Sequence, residues 1–362
     1  MQVRGMKIIT VDYCDLLLPL LTRLTQFGYN QSIRHFPVGY ALYYQATGNI
    51  SPDSFWQRRL NRMGYSELIM LVNRMQPRVI ISTFPLPSGV LSEMKEAGDL
   101  KVPVVTVITD ISVHSQWIHP HTDLYIVGSP EVAEGLEERG IPRRNIAAAG
   151  IPILPAFMSE FDPEQVKREM GFDPTDRLML FMGGNDGVFG TTQFHHLLRD
   201  LPPNVKAMVL TGSNHDLFEK LSSSSAKHPN LRVSQYVDNV PGLMGAADLL
   251  VTKAGGITIS EALAKGLPMV IYKPTPGHEE ANANYLWRHR AAIIAKGERR
   301  LRTAIHRMLI DEPFRKRLQR NCLKIAAPDS AVAGAKLILK LMSPNLKTAK
   351  RHETVARREI RA

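Results

Sequence analysis

Side chains able to bind and polarise a ligand are concentrated in one stretch, residues 248–284 (DLLVTKAGGITISEALAKGLPMVIYKPTPGHEEANAN). Its apolar run Leu249-Leu250-Val251 reads as a buried strand. The pair Gly255-Gly256 follows, and Ile257 to Ala264 carries small and apolar residues on one helical face. A strand, a glycine turn and a helix start make an anion site, because free backbone N–H groups and the positive helix end converge there. Thr258 adds a hydroxyl to that spot. Glu261, about one turn into the helix, can accept hydrogen bonds from the vicinal hydroxyls of a sugar or ribose. A second strand, Met269 to Tyr272, leads into a polar loop bearing His278, Glu279 and then Asn282. An ordinary βαβ unit with a tight turn would use the same glycines. The difference is that Thr258, Glu261, His278, Glu279 and Asn282 all fall at C-terminal strand edges, where ligands bind in parallel α/β sheets.

A second glycine cluster points the same way. The strand Leu178 to Met182 runs into Gly183-Gly184-Asn185-Asp186-Gly187-Val188-Phe189-Gly190. Such a loop suits a phosphate or nucleotide, although the spacing is neither GxGxxG nor a lysine-bearing P-loop.

The elements that must position these residues alternate between strand and helix. From residue 77 to about 150, strands are expected at 79–83, 102–108, 124–127 and 145–149, with helices near 88–97 and from Pro130 to Gly140. Ser129 caps the second helix and Pro130 takes its first position. The unbroken apolar run VPVVTVI (102–108) predicts a parallel strand covered on both faces. It ends at Thr109-Asp110, with His114, Trp117 and His119 beyond. Prolines at 152, 155 and 163 suggest a domain boundary. Further strands are expected at 205–211 and 231–233, and a last helix at 330–341. Near the start, Met6 to Val11 reads as a strand, and 34–46 and 54–73 as helices. The organisation is α/β, in two domains with a terminal segment: 1–155, 156–330 and 331–362.

The 362 residues are 44% hydrophobic and 22% charged, a globular composition. The formal charge of +11 and the pI near 9.6 imply an anionic partner. Cys14 and Cys322 stand far apart with no CxxC company, so a metal site or disulfide framework is not expected. No apolar run reaches the ~18 residues of a membrane span. Asp12 and Asp15 interrupt the first apolar stretch, which therefore makes a poor signal peptide. Residues 20–65 hold nine of the 25 aromatics, together with Arg23, Arg34, Arg58, Arg59 and Arg62 against the single acid Asp53. That mixture fits an anionic lipid surface as well as a core with solvated arginines. Single-stranded nucleic acid would also suit the composition, but no RNA-binding motif accompanies it, so no nucleic-acid partner is expected. Nine Lys or Arg between Lys296 and Arg320, and six more in 342–362, extend the basic character. The expected location is cytoplasmic, peripheral on the inner face of the cell membrane.

Three segments together carry a family resemblance: TGSN (211–214), YVDNVPGLMGAADLLVTKAGGITISEALAKGLP (236–268) and PGHEEANANYL (276–286). They resemble the family 28 glycosyltransferases. By motif the nearest are the monogalactosyl- and processive diglucosyl-diacylglycerol synthases, with the murein transferase that uses UDP-N-acetylglucosamine more distant. In the first half, TDISVHSQWIHPHTDLYIVGSPEV (109–132) and AAGIPILPAF (148–157) are similar to the same family. The resemblance spans roughly residues 75 to 290. It implies the GT-B fold, two Rossmann-like domains with the active site between them, and a UDP-sugar donor on the second domain. By position it implies Gly183, Gly184 and Gly187 beside the diphosphate, and Ser213 and Asn214 near the nucleoside. Tyr236 and Val237 would lie over the uracil. Gly255, Gly256 and Thr258 would hold phosphate, Glu261 the ribose, and His278, Glu279 and Asn282 the sugar. His278 stands where the family usually has Gln, and Leu154 where an arginine is common.

Transfer from a UDP-sugar needs a stabilised leaving diphosphate. Backbone amides, a helix N-terminus and a basic side chain such as Lys253 supply that. No metal and no cofactor are expected. An inverting transfer also needs a base on the acceptor hydroxyl. The family carries its favoured base on a glycine-rich loop ahead of the segment matching residue 6, and this sequence has no counterpart. A truncated gene model or a degenerate member are the two explanations. Asp110 and His114 are then the candidate catalytic residues, His114 equally suited to a structural role. The leading expectation is an inverting hexosyltransferase with a diacylglycerol-type lipid acceptor at an anionic membrane surface. A catalytically impaired UDP-sugar-binding protein and a UDP-N-acetylglucosamine epimerase are the alternatives.

Overall fold

The computed structural model describes residues 6–17, 46–48, 50, 54–183, 197, 201–225 and 228–342. Two parallel sheets organise them. The first contains β1 (Ile80–Ser82), β2 (Val104–Val107), β3 (Leu124–Ile126) and β4 (Ile146–Ala147) in that spatial order. The second contains β5 (Arg177–Met182), β6 (Val205–Leu210), β7 (Leu231–Ser234), β8 (Leu249–Thr252), β9 (Met269–Tyr272) and β10 (Ala292–Ala295). Its order is β10-β9-β8-β5-β6-β7. The chain winds outward from β5 in one direction and from β8 in the other. The crevice between those neighbours, at their C-terminal ends, is the switch point where such sheets bind ligands. Gly183 leaves β5 there, and Lys253 leaves β8 beside it.

The side-chain pattern explains why these strands are central. In β5, Leu178 and Leu180 face one apolar cluster while Met179 and Phe181 face another. Strands β8 and β9 repeat the alternation, Leu250, Met269 and Ile271 on one face and Val251, Val270 and Tyr272 on the other. Strands covered on both faces read as near-continuous apolar runs, and these do apart from Arg177 and Thr252 at strand ends.

In chain order the helices are α1 (Tyr13–Leu17), α2 (Phe55–Leu60), α3 (Tyr65–Met75), α4 (Pro85–Glu96), α5 (Pro130–Glu137), α6 (Pro163–Glu169), α7 (His215–Ser225), α8 (Val240–Ala246), α9 (Gly256–Ala264), α10 (His278–Arg288), α11 (Glu298–Ile310) and α12 (Glu312–Ile325), followed by α13 at 330–342. Ser129 caps α5 as the sequence implied, its Oγ accepting the Val132 N–H at 3.3 Å.

Two expectations change, and a third falls largely outside the described residues. Residues 6–11 form no strand: Ile8 is 89% exposed, and no strand among the described residues pairs with the segment. β-propensity alone does not make a strand without a partner edge. The single helix expected over 54–73 is two, broken where Gly64 adopts φ +81°. The aromatic and basic segment at 20–65 lies largely outside the described residues. Within the described part, Phe55 is 71% exposed, with Arg59 and Arg62 exposed nearby in the chain.

The two sheets are not independent bodies. One apolar cluster runs from Ile108, Trp117 and Tyr125 of the first to Leu250, Ile259 and Leu286 of the second. The chain also returns: Leu337, Ile338 and Leu341 of α13 pack on Val105, Val107, Leu124 and Ile126 of the first sheet. The two passages between the sheets touch, since a Cβ at Gly150 would lie 2.4 Å from the Ala327 Cβ and 3.0 Å from the Ser330 Cβ.

Candidate active site

The α9 N-terminus is built by three consecutive backbone choices. Ala254 adopts φ +79°, a left-handed conformation rare for an L residue. Gly255 is the helix cap, and Gly256 opens α9. A Cβ on Gly256 would fall 1.9 Å from the Thr109 carbonyl oxygen, which belongs to the first sheet's β2 loop. Glycine at 256 therefore lets the two sheets approach at the helix start. A Cβ on Gly255 would meet only a Glu279 carboxylate oxygen at 3.7 Å, an ordinary contact.

Helix α10 completes the other wall. Glu279 is buried and accepts the Thr275 N–H at 2.6 Å. Asn282 is fully buried. Its Oδ1 accepts the Ile111 N–H at 2.7 Å, and its Nδ2 donates to the Ala254 carbonyl at 3.0 Å and to Asp110 Oδ1 at 3.5 Å. Burial pushes the Asp110 carboxyl above its ordinary range and the nearby Glu279 adds to this, while His278, the Asn282 amide and His114 oppose it. Further along α10, His289 Nε2 lies 2.8 Å from Glu131 Oε1 on α5, a second link between the sheets.

Glu261 lies half-buried on α9. Burial alone raises its pKa to about 7, and its carboxylate makes no hydrogen bond or ion pair among the described residues. Thr258 and Lys253 are half-buried at the same end of the second sheet, and Gly183 is buried at the end of β5. Gly184 and Gly187 lie outside the described residues. Ser213 is exposed after β6, while the Asn214 carbonyl Oδ1 caps α7 by accepting the Leu217 N–H at 2.9 Å. Tyr236 is 72% exposed, whereas Val237 packs against the shared apolar cluster.

Two side chains assigned from the sequence are engaged by protein groups. Asn282 is fully buried, and both ends of its amide bond to groups of the two sheets. His114 is engaged as well. It is buried, its Nδ1 accepts the Gln116 N–H at 3.3 Å and its Nε2 lies 3.4 Å from Thr47 Oγ1. Sequence reasoning missed the backbone groups that matter here, the Thr109 and Ala254 carbonyls and the Ile111 and Thr275 N–H. No residue-type signal marks them. It also passed over Thr211, whose hydroxyl is buried just after β6 with no hydrogen-bond partner among the described residues.

Comparisons with known proteins bear on the fold and the family. Residues 1–153 match the family model for monogalactosyldiacylglycerol (MGDG) synthase, and residues 191–332 match that for the glycosyltransferase family 28 C-terminal domain. The processive diacylglycerol beta-glucosyltransferase of Bacillus licheniformis is 31% identical over 322 residues, 86% of this chain and 81% of that protein. Among solved structures, Acinetobacter baumannii MurG has a TM-score of 0.56 at 15% identity, covering 77% of this chain and 80% of that one. The UDP co-structure of S. aureus MnaA has a TM-score of 0.60 at 12% identity, covering 78% and 82%. The two sheets and the cleft between them define a glycosyltransferase of the GT-B fold. Within that class, the chain belongs to glycosyltransferase family 28, in the group of the MGDG synthases and processive diacylglycerol glucosyltransferases.

Proposed function

We propose that this protein transfers a hexose from a UDP-sugar to a diacylglycerol-type lipid, with inversion at the anomeric carbon. The observation that carries the reading is a convergence. Asp110, from the first sheet, comes within 3.5 Å of Asn282 and close to His278 and Glu279, beside the α9 N-terminus of the second sheet.

Each residue then has a task. The α9 N–H groups, Thr258 and Lys253 hold the diphosphate and take up its charge as the sugar–oxygen bond breaks. Glu261 accepts the ribose hydroxyls. His278 and Glu279 border the sugar. The acceptor hydroxyl attacks the anomeric carbon from the face opposite the diphosphate and gives its proton to the Asp110 carboxylate. A carboxylate held above its ordinary pKa is the stronger base. The lipid acceptor brings the enzyme to a membrane surface. No helix of the described residues is long and apolar enough to cross one, and the charge of +11 supports attraction to anionic lipid.

The test is transfer from radiolabelled UDP-glucose or UDP-galactose to diacylglycerol in mixed vesicles. Glycolipid product is expected, and Asp110→Asn should lower its rate by at least about 100-fold. UDP binding without product would instead indicate a non-catalytic binding protein. Conversion of UDP-N-acetylglucosamine to its epimer would indicate an isomerase.

A further inference from the structure

We propose that Asn282 is a positioning residue that couples the two halves of the cleft. One amide sets both the start of α9 and the loop that carries Asp110. On the second sheet it donates to the carbonyl of Ala254, the residue whose left-handed backbone (φ +79°) aims the chain into Gly255-Gly256. On the first sheet it accepts from the Ile111 N–H and donates to the Asp110 carboxylate. The chain on both sides of Asp110 is thereby fixed by groups of the other sheet: Thr109 against Gly256, and Ile111 against Asn282.

Asparagine is chemically suited to this place. Its amide offers an acceptor and two donors at one point, and the site uses all of them. Aspartate keeps the acceptor and loses the donors, and leucine has neither. With no exposed surface, Asn282 acts through Ala254 and Asp110 and not on the substrate.

The inference rests on the reading of the α9 start as the UDP diphosphate site. Ala254 supplies the discriminating test, because glycine adopts φ +79° without the strain a Cβ imposes. UDP affinity would be measured by calorimetry for the native protein, Asn282→Ala, Ala254→Gly and the double variant. Asn282→Ala should weaken UDP about tenfold. Ala254→Gly alone should change affinity by no more than about twofold, and in the double variant it should restore most of the loss. If Asn282 touched the donor directly, Ala254→Gly would restore nothing, and that result overturns the proposal. Native affinity in Asn282→Ala overturns it as well. A native protein that fails to bind UDP removes the donor reading itself, and the coupling with it. Should Asn282→Ala not fold by circular dichroism, the near-isosteric Asn282→Leu replaces it. That variant lacks the acceptor and the donors without placing a second carboxylate beside Asp110, so the same loss and the same rescue are expected.

Discussion

Glu261 shows what burial alone does to one carboxylate. Its pKa of about 7 has desolvation as its sole cause. The folded state therefore disfavours the charged form. That penalty is absent below the unfolded carboxylate pKa, grows through the interval up to about 7, and is complete above it. Glu261→Gln removes the charge, so the variant should match the native protein at pH 4 and exceed it at pH 8. A gain of about 1 kcal/mol is expected after solvent screening, read from thermal melts at the two pH values. Hydroxyls donated by a ribose favour the ionised form, so UDP should bind more tightly at pH 8 than at pH 6. In Glu261→Gln that dependence should flatten and the affinity fall about tenfold. Calorimetry showing equal pH dependence in both proteins would remove Glu261 from the donor site.

At the scale of elements, the start of α9 separates two neighbouring glycines that look alike in sequence. Gly256→Ala drives a Cβ into the Thr109 carbonyl, which is backbone and cannot rotate away. Melting should show a loss of about 1–3 kcal/mol, and transfer activity should fall with it. Gly255→Ala meets only an ordinary contact and should keep the native melting temperature. The glycine turn, the helix and their place at a sheet edge were legible because they follow from local chemistry. The apolar runs that became β5, β8 and β9 were equally legible as strands. The difference between Gly255 and Gly256 was not, because it depends on Thr109 in the other sheet. The inter-sheet bonds of Asn282 were hidden for the same reason: Ile111, which occupies its carbonyl, lies 171 positions away. His114 was ambiguous until Gln116 and Thr47 occupied its ring nitrogens. Residues 6–11 erred in the opposite direction, since a strand-like composition still requires an edge to pair with.

At the scale of the molecule, the shared apolar cluster makes the two sheets one cooperative unit. Calorimetric unfolding should show a single transition, whereas two separated peaks would mean that each sheet melts alone. Helix α13 belongs energetically to the first sheet although it closes the described chain. Ile338→Asp places a charge against Val105, Val107, Leu124 and Ile126, and should destabilise the whole protein by about 2 kcal/mol. The contact of Gly150 with Ala327 and Ser330 has a mechanical meaning as well. Two chain passages pinned together at one point act like a pair of hinge pins: they block sliding and leave rotation. Any opening of the cleft would then be angular, with displacements that grow with distance from the pivot. The His289–Glu131 pair is a catch set across that angle.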